Sequence, residues 1–220
     1  MNKRQFPLFQ ELTHINPQVD TLLSVFRKLK ERKNEVSEFR FTDLREKLAQ
    51  AFPFKENGYD YVAVTDIDPN LRDTILKASP LTMYKKALRG EAPAMDDRNY
   101  THFREDVPED MKVFLQQFRG KVSRVRFATL KRQMTIHEHI DNEVHHTVRV
   151  HVPLITDKYS LFGVRDPRTN EMTMRHLEVG KVYFVNTSCG HLVVNGSREI
   201  DRTHLVINLN STEDLRRILN

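Results

Sequence analysis

Two textures of hydrophobic patterning divide the chain. Up to about residue 120 the apolar positions recur mainly at helical spacing. In "INPQVDTLLSVFRKLKER", Leu22, Leu23, Phe26 and Leu29 fall on one face of a helix. Asn16 stands at a capping position and Pro17 at the first helical one, so the helix is expected to open there. "FTDLREKLAQAF" repeats the amphipathic spacing, and "VPEDMKVFLQQF" predicts a shorter helix from near Pro108. "YDYVAVTDI" reads as a strand. The polar stretch "RGEAPAMDDRNYTHFRED" has no period and reads as a mobile loop around Ala92–Asp106.

From Lys121 the texture turns to strands. "KVSRVRFATL", "HTVRVHVPLIT", "YSLFGVRD", "EMTMRHLE", "GKVYFVNTS", "HLVVNGS" and "RTHLVINL" are short runs separated by turn residues. Strands this short and this close predict an antiparallel sandwich or barrel. The closing "STEDLRRIL" carries a Ser-x-x-Asp capping signature and predicts a short helix. No repeat or linker breaks the chain. The expectation is one domain over 1–220, an α+β protein with an all-β core: a mainly helical region 1–120, a β core 121–210 and a C-terminal helix 211–220.

The strand alternation poses a choice. In "HTVRVHVPL", Val148, Val150, Val152 and Leu154 point one way, while Thr147, Arg149, His151 and Pro153 point the other. In "RTHLVINL", Leu205, Ile207 and Leu209 share a face; Arg202, His204 and Asn208 share the opposite one. The polar faces either meet solvent or, if the helices cover the apolar faces, line an internal cavity. Alternation alone leaves both orientations open.

Composition narrows the class. At 220 residues the chain can bury a core without disulfides or structural metal. Its one cysteine, Cys189, excludes an internal disulfide and is compatible with a reducing compartment. The N-terminal residues lack the apolar stretch of a secretory signal, and no segment reaches membrane-span length, so a soluble cytoplasmic protein is expected. The net charge is +5 and the pI about 9.3. Lys and Arg are spread along the chain and read as solvated helix faces, which disfavours nucleic acid as a partner.

Chemistry concentrates in "TIHEHIDNEVHHTVRVHVPL", which holds five of the ten histidines. A lone His-x-Asp such as His139-Ile140-Asp141 carries little weight, because composition alone supplies about one. Its setting carries more. The motif precedes a strand, His191 follows in a turn-and-strand context, and Arg202 opens the last strand. Two histidines and one carboxylate form the facial ligand set of non-haem Fe(II) oxygenases, which leaves coordination positions open.

The segments "RVRFATL", "HIDN", "VRVHVPL", "GKVYFVNTSCGHLVVNGS" and "DRTHLVINL" resemble the aspartyl/asparaginyl β-hydroxylase branch of the 2-oxoglutarate-dependent non-haem iron hydroxylases, which includes bacterial proline hydroxylases. The resemblance runs from about Arg124 to Leu209, with no equal match in residues 1–120. It implies a double-stranded β-helix, the jelly-roll or cupin-like core, covered by N-terminal helices. It implies Fe(II) held by His139, Asp141 and His191, and 2-oxoglutarate held by Arg202 with Arg149 and His151 nearby. Some mammalian members lack the acidic ligand; this sequence keeps Asp141. The implied reaction consumes O2 and hydroxylates an unactivated C–H bond of a free amino acid or small amino-acid derivative. A peptide or protein residue of Asp or Asn type is the second enzymatic reading, and a non-oxidative metal-binding cupin-like module is the rival from another class.

Other candidates weigh less. His137 competes as a ligand but has no carboxylate two residues on. His176-Leu177-Glu178 lacks the Arg-x-His-x-Pro sequel. His145 and His146 read as loop residues, Cys189 as a buried inert thiol, and His204 as structural or as a support for the site. Arg126 reaches either the cavity or solvent, and Asn195 and Arg198 receive no role from spacing.

Overall fold

A computed structural model describes residues 6–32, 58–71, 89, 96–141, 143–144, 146–210 and 215–219. The helix expected over "FTDLREKLAQAF" lies outside them, as do residues 211–214 of the expected C-terminal helix. Twelve strands and three α-helices are described. In chain order they are β1 (Phe9–Glu11), α1 (Val19–Glu31), β2 (Tyr59–Ala63), β3 (Thr65–Asp66), β4 (His102–Phe103), α2 (Glu109–Leu115), β5 (Lys121–Leu130) and β6 (Met134–His139). There follow β7 (Val148–Ile155), β8 (Ser160–Arg165), β9 (Met172–Arg175), β10 (Tyr183–Val185), β11 (His191–Asn195), β12 (Arg202–Asn210) and α3 (Leu215–Leu219).

The strands form an antiparallel double-stranded β-helix. Its larger sheet runs β1-β10-β7-β12-β5-β2 and its smaller one β6-β11-β8-β9, with β3 and β4 paired apart. Residues on both sides of position 120 therefore share the larger sheet.

The choice left open by alternation is resolved by what covers the larger sheet. Val148, Val150, Val152 and Leu154 of β7 and Leu205, Ile207 and Leu209 of β12 join one cluster with Leu22, Val25, Phe26 and Leu29 of α1 and Met111, Phe114 and Leu115 of α2. The apolar face is the outer one, sealed by helices, and the alternating polar residues turn inward. A second cluster of Leu130, Phe162, Val164, Leu177, Tyr183, Val185, Cys189 and Val193 lies between the sheets.

Three local expectations change. Helix α1 opens at Val19 with Gln18 as its N-cap, two residues past Pro17. Strand β6, not anticipated as a separate element, pairs with β11 and packs Met134 and Ile136 against the inter-sheet cluster. The segment read as a mobile loop is built from residue 96 onward. It forms a 3-10 turn at Asp97–Asn99, strand β4 and a buried Arg104–Asp106 ion pair at 2.9 Å.

Candidate active site

The site lies between the two sheets, and adjacent strands deliver its residues. The β11 and β6 pairing sets His191 directly opposite His139. Asp141 lies just past the end of β6, where its backbone N–H donates to the Thr187 carbonyl. One ligand atom from each of His139, Asp141 and His191 falls within 4.8 Å of the other two, the spacing of a metal site. His191 Nε2 is 3.3 Å from Asp141 Oδ2, and His139 Nε2 is 3.8 Å from Asp141 Oδ1. His137 is exposed and is not part of this cluster.

Both imidazoles are oriented from behind. His139 Nδ1 is 2.8 Å from the His137 carbonyl, and His191 Nδ1 is 3.1 Å from the Cys189 carbonyl. A proton on each Nδ1, donated to these carbonyls, leaves the Nε2 lone pairs facing Asp141 as ligand atoms. Asp141 is half-buried, and burial alone would raise its pKa. The charge of Arg149 beside it leads the causes that outweigh burial and hold the carboxyl well below the usual carboxylate range.

The cluster opens into a cavity of about 510 Å³ whose lining includes Arg124, Arg126, Arg149, His151, Phe162 and Arg202. Arg202 is 5% exposed. Among the described residues it has no carboxylate partner. Its Nη2 lies 2.9 Å from His204 Nδ1, and its guanidinium sits 5.9 Å from the Phe162 ring centroid. Burial lowers its pKa to about 9, so it remains charged at neutral pH. Among the described residues neither ring nitrogen of the buried His151 has a partner, nor does Nε2 of His204. Burial, with Arg202 second, holds both imidazoles well below the usual histidine range and therefore neutral. Buried polar atoms are normally satisfied. Here the two ring nitrogens of His151 share one cavity with the charged Arg202 guanidinium, which fits an anionic ligand.

Strand β5 adds a feature that alternation could not show. A bulge opposite the register shift between Val206 and Asn208 of β12 puts Arg124 at φ +42°. Arg124 and Arg126, two residues apart, line the cavity, while Val125 and Phe127 stay in the outer core. Arg124 also pairs with Asp97, a residue from the stretch that has no period.

The remaining candidates separate cleanly. His176 bonds the Ser160 carbonyl at 3.1 Å and is not part of the metal-capable cluster. Asn195 is structural: its side chain bonds Ser160 and the carbonyls of Leu130 and Ile200. Cys189 is buried in the inter-sheet core. His145 lies outside the described residues.

A jelly-roll barrel carrying a two-histidine, one-carboxylate cluster beside an arginine-lined cavity defines a metal-binding class of double-stranded β-helix proteins. Within that class the sequence matches the model of the aspartyl/asparaginyl beta-hydroxylase family over residues 77–212, and the chain belongs to this family. No curated protein matches it. Among solved structures, a prolyl-4-hydroxylase from Pseudomonas putida is similar at 14% identity, with 93% of this chain and 92% of that one covered and a TM-score of 0.43. An oxidoreductase of the 2OG-Fe(II) oxygenase family from Burkholderia pseudomallei is 13% identical, with 77% and 78% covered and a TM-score of 0.40. An oxalate oxidase is 12% identical, and the match takes in 72% of this chain but only 53% of that one, with a TM-score of 0.37.

Proposed function

We propose that this protein is an Fe(II)- and 2-oxoglutarate-dependent dioxygenase that hydroxylates an unactivated C–H bond of a free amino acid or small amino-acid derivative. One observation carries the reading: the His139, Asp141 and His191 cluster shares its cavity with Arg202, a buried guanidinium that has no carboxylate partner among the described residues. A simple metal binder has no use for an anion clamp beside its metal.

The donor set fits the metal. Two neutral imidazoles and one carboxylate leave a divalent ion with net positive charge and open positions. When bound, iron and 2-oxoglutarate supply the oxygen activation that C–H hydroxylation needs, with succinate and carbon dioxide as co-products. The protein supplies orientation and exclusion of water. Arg202 takes the distal carboxylate in a bidentate pair. His151 and His204 offer neutral hydrogen-bonding nitrogens beside it. Phe162 stacks on His191 with centroids 5.8 Å apart and meets His151 edge-on at 5.1 Å, which walls the metal side with apolar surface. Arg126, which donates to the Arg124 carbonyl and has no carboxylate bonded to it among the described residues, is available to a carboxylate on the primary substrate. A cavity of about 510 Å³ suits small ligands.

The family description favours a second reading, an Asp or Asn residue within a peptide or protein. The exposed Ile140 and Tyr59, which also line the cavity, offer apolar contact at its mouth.

The test is succinate release from anaerobically loaded protein, screened with free amino acids in one arm and Asp- or Asn-containing peptides in the other. Turnover should require O2, Fe(II) and 2-oxoglutarate together, and stimulation by one arm alone assigns the substrate class. His139→Ala and His191→Ala should lose most bound iron, while His137→Ala keeps it. Succinate formed under strict anoxia, or unchanged iron content in both ligand variants, overturns the reading.

A further inference from the structure

The carboxylate that organises the cavity from outside the metal-capable cluster is Asp97. It is 3% exposed, on a 3-10 turn whose preceding residue, Asp96, accepts from the Arg98 N–H and caps the turn. Adjacent acidic residues thus divide their work. Asp96 pairs with Arg98 at the surface, and Asp97 turns into the barrel. Three donors from three strands of the larger sheet, β5, β7 and β12, converge on it. Arg124 bonds Oδ1, Asn208 Nδ2 donates to Oδ2 at 2.6 Å, and Arg149 Nη2 lies 3.3 Å from the same Oδ2. The other prong of Arg149, Nη1, donates to Asp141 Oδ2. One guanidinium therefore spans two carboxylates, one in the metal-capable cluster and one in the turn.

We propose that Asp97 is a positioning residue of the metal centre and acts through Arg149. The inference rests on reading His139, Asp141 and His191 as metal ligands. Arg149 orients Asp141 only while its own direction is fixed. Among the described residues its Nε has no partner, so its hold there comes from the two prongs. Asp97 anchors the prong that does not touch Asp141. Without that anchor the guanidinium is free to follow any anion in the cavity, and Asp141 loses the donor that sets its carboxylate plane. Groups that orient a metal ligand in this way contribute about 10- to 100-fold in metal affinity.

A purely structural role, in which Asp97 only neutralises Arg124, makes a different prediction about Arg149. The probe is Mn(II) added to metal-free protein, which needs no turnover, with affinity read by calorimetry and the site by electron paramagnetic resonance. Asp97→Asn should weaken Mn(II) by about tenfold or more. Arg149→Met should do the same. In the Arg149→Met background, Asp97→Asn should add less than about threefold, because the route from Asp97 to the metal is already cut. If Asp97→Asn fails to fold because Arg124 is stranded, Asp97→Asn with Arg124→Gln removes that charge and is compared with Arg124→Gln alone, with the same expectation. Mn(II) affinity within about threefold of wild type overturns the proposal, as does an equal loss in both backgrounds. A wild-type protein that binds no Mn(II) would instead sink the metal assignment on which the proposal rests.

Discussion

A guanidinium buried without a carboxylate is costly unless something anionic completes it, and Arg202 is the residue where that cost becomes readable. Arg202→Ala should lose about 2–5 kcal/mol of 2-oxoglutarate affinity. That corresponds to about 30- to several-thousand-fold. Arg202→Lys keeps the charge but not the two-pronged geometry and should fall between Ala and wild type. Titration of 2-oxoglutarate into the anaerobic Fe(II) protein, followed by its charge-transfer band, reads this directly. Binding by Arg202→Ala within about threefold of wild type would move the clamp to Arg149 or Arg126. At this scale the sequence was informative about side chains whose chemistry is rare. His139, Asp141, His191, Arg149, His151 and Arg202 could all be named from type, order and family resemblance, and all line one cavity. Asp97 and Phe162 could not. A carboxylate in an aperiodic polar stretch looks like any solvated Asp, and a strand Phe looks like any core residue.

Among the elements, α1 and the two central strands divide stability from function. Leu29 of α1 is fully buried against the outer face of the larger sheet, on the side away from the cavity. Leu29→Ala should cost about 2–5 kcal/mol of stability in urea melts. Mn(II) affinity at a temperature where the variant is folded should be unchanged. A loss of metal affinity without a loss of stability would mean that α1 does more than cover the outer face of the larger sheet. Elements with a strict period were legible: β5, β7, β8, β11 and β12 fall where the alternation put them. Strand β6 was missed because only Met134 and Ile136 touch the core while its other end is exposed polar residues, so its sequence shows half a period. The bulge at Arg124 was invisible for a related reason: it arises from the pairing of β5 with β12 and has no turn residue to announce it.

Over the whole molecule, the helix-covered barrel encloses buried polar groups that should respond to acid. His151 and His204 are held neutral, chiefly by burial, with folded pKa values well below 6.5. Unfolding restores the ordinary value, so below about 6.5 the unfolded chain binds more protons than the folded one. Stability is therefore full above that pH and falls as pH drops toward the folded values, by up to about 1.4 kcal/mol per pH unit for each imidazole. Chemical melts of metal-free protein at pH 7 and 5.5 measure the slope, and His204→Leu should remove about half of it. An unchanged slope in a His151→Phe/His204→Leu variant would show that other groups set the acid limit. What the sequence determined by itself was the period of each strand, the identity of the rare side chains that share the cavity, and the family that carries them in this order. Those properties are local: a two-residue repeat and a residue type do not depend on what packs above them. Only the tertiary structure decided which face of each strand is the inside. Alternation is symmetric between solvent and cavity, and the tie is broken by α1 and α2 covering the Val148–Leu154 and Leu205–Leu209 faces from outside. The same closure brings Asp97, from a stretch with no pattern of its own, onto Arg149 and so within reach of Asp141.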